Sequence, residues 1–193
     1  MTNLAVFASG QGTNAEAIIQ YFGKSSEVSV TLVVCNNPDA GVVAVAKKHQ
    51  IPLSLVNKKS FYDSVELLDV LKRHEVRFIV LAGFLWQVPE YLLKSYPGKI
   101  INIHPALLPK YGGKGMYGRR VHEAVLKGQE KESGITIHYV NENYDEGEII
   151  FQAKCPVETG DDAASLEAKV RRLELEYYPK TIEKLLIKEP VTT

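Results

Sequence analysis

Short apolar runs alternate with stretches of helical spacing along this chain, and each change of period falls at a glycine, a proline or a small polar residue. Residues 4–8 are apolar throughout and end at Ser9-Gly10-Gln11-Gly12-Thr13-Asn14, after which Ala17, Ile18 and Tyr21 share one helix face. The β-branched run at residues 28–35 predicts a second strand, and Asn36-Asn37-Pro38-Asp39 is placed to cap a helix over residues 42–49. A brief strand at residues 51–56 precedes a helix that Phe61 and Asp63 introduce and that carries Val65, Leu68 and Leu71. Residues 78–82 predict the fourth strand, residues 83–88 break it, and Pro89 suits the first turn of a helix reaching about Lys94. Residues 100–104 predict the fifth strand.

Strands that alternate with helices imply a parallel sheet covered on both faces. Further along the pattern changes. Gly112-Gly113-Lys114-Gly115 reads as a loop, residues 121–126 as a helix, and residues 134–140 and 148–156 as two strands joined through Tyr144-Asp145-Glu146-Gly147. So short a connection predicts an antiparallel pair. Gly160-Asp161-Asp162 starts a long amphipathic helix with Leu166, Val170, Leu173 and Tyr177 on one stripe, interrupted near Pro179 and resumed to residue 187. The fold class is therefore α/β: a mainly parallel, doubly wound, Rossmann-like sheet with an antiparallel C-terminal part. In such sheets ligands gather at the carboxyl ends of the strands, which here carry residues 9–14, 83–88 and 102–104 and the loop at Asp145.

On the fifth strand Asn102 and His104 share a face while Ile101 and Ile103 take the other, and Pro105 stops the ladder. An amide N–H and an imidazolium aimed at one oxygen form an oxyanion site, which suits attack on a carbonyl carbon. Asp145, in the loop beside the antiparallel strands, could orient the histidine and accept a proton. There is no Gly-x-Ser-x-Gly nucleophile motif and no HExxH metal signature, so the attacking group would be a substrate amine or water. A histidine before a proline suits a structural role equally well. The Gly-rich turn at residues 9–14, ahead of a helix N-terminus, suits a phosphate. It lacks the third glycine and the acidic partner of a dinucleotide site, which favours a phosphate monoester. The plain alternative is a tight turn with Thr13 or Asn14 as an ordinary cap.

The chain has 193 residues, 45% of them hydrophobic, enough for one sizeable core, and no linker-like stretch divides it. Its 23 Lys and Arg balance its 23 Asp and Glu, which argues against a nucleic-acid face and for anion binding that is local. Cys35 and Cys155 stand far apart in apolar contexts, as in a reduced cytosol. The N-terminus reads as the first strand rather than a signal peptide or a membrane span, so a cytoplasmic location without membrane contact is expected. His49, His74 and His122 lie on predicted helices beside charged residues and read as solvated.

Four segments together carry a resemblance: Ser9-Gly10-Gln11-Gly12-Thr13-Asn14, Leu81-Ala82-Gly83-Phe84, Asn102-Ile103-His104-Pro105-Ala106-Leu107-Leu108-Pro109-Lys110 and Asp145-Glu146-Gly147. In content and order, and over nearly the whole chain, they resemble the glycinamide ribonucleotide (phosphoribosylglycinamide) formyltransferases, folate-dependent enzymes of purine synthesis. The resemblance implies transfer of a formyl group from 10-formyltetrahydrofolate to the amine of 5'-phosphoribosylglycinamide, without a metal. It puts Asn102 and a protonated His104 on the oxyanion of the tetrahedral intermediate, with Asp145 polarising His104 and moving the proton. Gly12, Thr13 and Asn14 would cradle the phosphate, and Glu174 would contact the glycinamide side.

Folate would lie against Leu85, Trp86, Gln87 and Val88, and against Val140, Asn141 and Tyr144 in the loop leading to Asp145. Trp86 stands where some members carry arginine, so this entrance is expected to be more aromatic and less basic; otherwise Trp86 simply packs between strand and helix. His138, on a predicted strand, either supports Asp145 or is a strand histidine bonded to a carbonyl. Residues 110–116 are Gly-rich enough to form a mobile cover. The resemblance implies one formyltransferase domain over 1–193, about residues 1–100 binding phosphate and about 101–193 carrying folate and the catalytic groups, as a monomer or homodimer. Other folate formyl transferases and hydrolases share the Asn/His/Asp group but carry a further domain. The alternative from another class is a non-catalytic nucleotide-phosphate binding module.

Overall fold

Period-two apolar runs become strands and the helical stripes become the layers that cover them. The computed structural model describes residues 1–187. Its first part runs β1 (Thr2–Ala8), α1 (Thr13–Phe22), β2 (Val28–Cys35), α2 (Gly41–Lys48), β3 (Leu53–Leu55), α3 (Lys58–Tyr62), α4 (Glu66–Arg73), β4 (Val76–Leu81), α5 (Glu90–Ser95) and β5 (Ile100–His104). The rest comprises α6 (Arg119–Lys127), β6 (Glu132–Tyr139), β7 (Ile149–Pro156) and α7 (Ala163–Leu186). One sheet joins the seven strands in the order β3-β2-β1-β4-β5-β6-β7. The strands from β1 to β5 pair in parallel, and β6 runs antiparallel to both β5 and β7. This is the expected α/β class with its antiparallel edge.

Alternation along β1 assigns the two cores. Leu4, Val6 and Ala8 pack with Ile18, Val170 and Tyr178 on one face, while Ala5 and Phe7 pack with Phe61 and Leu71 on the other. Helices therefore cover both faces. Ile101 and Ile103 of β5 belong to the first core, so Asn102 and His104 turn to the opposite side. The chain winds away from β1 in both directions, which opens a crevice at the carboxyl ends of β1 and β4.

Three local expectations are corrected. First, α7 is unbroken from Ala163 to Leu186 with Pro179 inside it. Proline withdraws one helical hydrogen bond, yet Tyr178, Pro179, Thr181 and Ile182 are all buried, and the packing they gain offsets the missing bond. Second, the residues expected to introduce the helix of Val65 and Leu71 form a short helix of their own, α3, closed by a reciprocal Asn57–Ser60 capping box. Third, α2 begins after Ala40 without a side-chain cap, because Asn37 accepts from the Asp39 N–H at 3.0 Å and spends its side chain on the preceding turn.

Candidate active site

The carboxyl ends of β1, β4 and β5 face a cavity of about 510 Å³. Antiparallel pairing of β5 with β6 sets Asn102 directly opposite His138. Opposed residues of such a pair lie on one face within side-chain reach, and Asn102 Nδ2 stands 3.2 Å from His138 Nε2. The His138 Nδ1 is 2.8 Å from the Tyr139 carbonyl, which can only accept, so Nδ1 carries the proton and Nε2 accepts from Asn102. That chain fixes which end of the Asn102 amide is the donor. His138 thus bonds a carbonyl, as one sequence reading expects, and its Nε2 lies 3.6 Å from Asp145 Oδ1.

Asp145 enters from the loop between β6 and β7 with φ 58°, a left-handed backbone uncommon for a non-glycine residue. Its Oδ2 accepts the Gly113 N–H at 2.9 Å and lies 3.4 Å from His104 Nδ1, while Oδ1 is 3.4 Å from Asn102 Nδ2. Burial pushes the carboxyl up, but the adjacent His138 and His104 rings and the Gly113 N–H together take it below its ordinary value. It is a carboxylate at neutral pH. His104 is buried, and its Nε2 is 2.8 Å from the Tyr111 carbonyl. Burial pushes the imidazole down; the Asp145 charge and the Tyr111 carbonyl oppose this without overcoming it, and His138 adds to the fall. Desolvation thus outweighs the carboxylate neighbour and favours the neutral ring in the resting protein, while the protonated His104 expected on the oxyanion belongs to the intermediate. The pair is poised to take up a proton at Nδ1, where a negative charge developing nearby would hold it.

Thr13 and Asn14 stand on the cavity wall at the start of α1, whereas Gly12 is buried behind them. The glycine has a structural reason of its own: φ is 83°, and a Cβ there would meet the Val42 backbone at 2.7 Å. No side chain caps α1, so the ordinary-cap reading of Thr13 and Asn14 does not hold. Asn14 Nδ2 instead donates to Glu174 Oε2 at 2.8 Å. Glu174 faces the cavity one turn before Tyr178, whose hydroxyl donates to the Leu81 carbonyl at 2.9 Å and pins α7 beneath β4. Burial holds the Glu174 carboxyl above its ordinary value, with Asn14 and Arg171 partly offsetting it.

Leu85, Trp86, Gln87 and Val88 line the cavity after β4, and Val140, Asn141 and Tyr144 line it from the loop after β6. Gln87 Nε2 donates to the Glu142 carbonyl at 2.6 Å, and the Leu85 N–H donates to Ser9 Oγ at 3.0 Å, so the two loops and the Gly-rich turn are tied together. Trp86 does both things proposed for it: it lines the cavity and packs on Phe61, Tyr62 and Phe84 with ring centroids 5.5, 5.9 and 6.1 Å away.

Sequence reasoning missed His122, Glu167 and Arg171, which also reach the wall. His122 is buried rather than solvated, its Nδ1 without a hydrogen-bond partner and its ring pushed down by burial. Val121 and Val125 are the buried apolar positions of α6, and a helical stripe through them takes in His122 as well. The charged neighbours obscured that signal.

A doubly wound sheet with a cavity at its switch point, where Asn102, His104, His138 and Asp145 meet on one wall, defines an α/β protein built to bind and polarise a small ligand. The formyl transferase family model matches residues 2–182. The chain is 37% identical to phosphoribosylglycinamide formyltransferase of Bacillus subtilis, over 96% of this chain and 95% of that one. It is 40% identical to the chloroplastic phosphoribosylglycinamide formyltransferase of Vigna unguiculata over 94% of its own length, and spans 60% of that relative. The crystal structure of phosphoribosylglycinamide formyltransferase from Bacillus halodurans superposes with a TM-score of 0.86 at 39% identity, covering 97% of this chain and 96% of that chain. The chain belongs to the formyl transferase family.

Proposed function

We propose that the protein transfers a formyl group from 10-formyltetrahydrofolate to the amine of 5'-phosphoribosylglycinamide, a step of purine synthesis. The observation that carries this reading is the single cavity that joins the uncapped start of α1, with Asn14 and Glu174, to the two loops around Trp86 and Tyr144 and to Asn102, His104 and Asp145. The α1 terminus suits the phosphate. Glu174 and Asn14 suit the hydroxyl and amine side of the ribonucleotide, and the Leu85–Val88 and Val140–Tyr144 walls suit the flat apolar folate.

The amine nitrogen attacks the formyl carbon; the new C–N bond forms as the carbonyl pair moves onto oxygen. That oxyanion accepts from Asn102 Nδ2 and from His104 once Nδ1 is protonated. The proton lost by the amine passes by way of Asp145 and His104 to the folate nitrogen as its bond to the formyl carbon breaks. The test is a formylation assay with both substrates and purified protein. Formylated ribonucleotide, formed more slowly by Asp145→Asn and with a changed pH profile, is the expected result. Binding of both ligands without turnover would make the chain a nucleotide-phosphate binding module instead.

A further inference from the structure

The segment Tyr111-Gly112-Gly113 touches both ends of the His104–Asp145 pair. The Tyr111 carbonyl faces His104 Nε2 at 2.8 Å, and two residues later the Gly113 N–H reaches Asp145 Oδ2 at 2.9 Å. A carbonyl only accepts, so this contact requires the proton on Nε2 and leaves the Nδ1 lone pair facing Asp145 at 3.4 Å. The segment is close-packed: a Cβ on Gly112 would meet the Asp145 Cβ at 3.2 Å.

What holds this clasp lies outside the cavity. Tyr111 has φ 58°, a backbone that a bulky residue adopts only when its surroundings fix it. Two contacts do so. The Tyr111 hydroxyl donates to Glu130 Oε1 at 2.9 Å, and Lys110 Nζ reaches the same oxygen at 2.8 Å. The ring end also lies against Gly128 at the end of α6, where any Cβ would run into the hydroxyl.

We propose that Tyr111 is a positioning residue: anchored through its hydroxyl by Glu130 and through its ring by Gly128, it uses its carbonyl to keep His104 in the Nε2–H tautomer and so presents Nδ1 to Asp145 and the reacting atoms. The inference deepens the formyl-transfer reading and rests on it for its kinetic part only. In that reading Nδ1 must be free to take the proton that later stabilises the oxyanion. A ring with the proton on Nδ1 at rest would already have filled that position and would offer Nε2 to nothing in the cavity. Control of the tautomer would thus come from a contact on the far side of the segment.

The experiment is nitrogen NMR of protein labelled in its imidazole rings, with the His104 signal assigned by its loss in His104→Asn, alongside kcat and KM. Wild type is expected to show neutral His104 as the Nε2–H tautomer. Glu130→Ala and Gly128→Ala are each expected to raise the Nδ1–H population and lower kcat about tenfold, the worth of one charge-assisted hydrogen bond, with KM unchanged. Glu130→Gln keeps an acceptor for the hydroxyl and is expected to restore both. A wild-type ring in the Nδ1–H form, or Glu130→Ala with an unaltered tautomer, would overturn the proposal, as would Glu130→Gln behaving like Glu130→Ala. Absence of formyl transfer in the wild type would sink the functional reading alone, because the tautomer is read without substrate.

Discussion

Asn102 owes its orientation to a histidine and His104 owes its orientation to a carbonyl, so neither acts as an isolated donor. On the proposed mechanism, Asn102→Ala and His104→Ala should each lower turnover by roughly 10²-fold or more, as loss of an oxyanion donor does, while the fold persists. Near-normal turnover in a single-turnover assay would remove them from the chemistry. Glu174 gives a prediction with a definite sign. Its folded-state value is raised, so its ionised form costs stability in the native protein, and wild-type stability falls as pH climbs from the ordinary carboxyl value through the raised one. Glu174→Gln should remove that fall and melt above wild type at neutral pH; parallel melting curves across acid and neutral pH would contradict it. The Asn102 and His104 pair was legible because strand period alone puts both on one face. Asp145 was legible as a carboxylate in the loop beside the antiparallel strands, but its approach to His104 and Asn102 is a long-range contact that no local pattern records.

Among elements, α7 departs furthest from local expectation. Proline marked a break, but a helix end buried against a sheet is held by its packing, and Tyr178 is fully buried with its hydroxyl on the Leu81 carbonyl. Tyr178→Phe leaves that contact unmade and should destabilise the protein by about 1 kcal/mol in urea unfolding. Because Glu174 is one helical turn away, the same change should raise KM for ribonucleotide more than for folate. Equal stability and equal KM values would mean that α7 is held elsewhere. His122 shows the complementary failure: charged neighbours in sequence concealed a histidine that the α6 stripe carries inward. Capping chemistry was equally hard to read at α2, where Asn37 closes a turn rather than the helix.

At the scale of the molecule, the βα alternation and the antiparallel edge could be read from period and loop length. The order β3-β2-β1-β4-β5-β6-β7 could not, because strand neighbours are chosen by crossovers rather than by local sequence. That order brings Thr13, Asn14, residues 83–88 and residues 102–104 around one cavity. A ligand that binds only the assembled cavity stabilises the native state by mass action, about 2.7 kcal/mol at a concentration one hundred times its dissociation constant. Ribonucleotide and a folate analogue should therefore each raise the melting temperature of the wild-type protein. A shift with neither would place their sites elsewhere.

The packing of Trp86 has an optical consequence. The chain contains one tryptophan, and it stands on the cavity wall among Phe61, Tyr62 and Phe84. Emission excited selectively in the indole band therefore comes from a single residue at the proposed folate entrance. A pteridine bound beside it should quench that emission saturably, giving a label-free titration of occupancy, while ribonucleotide alone should leave the intensity nearly constant.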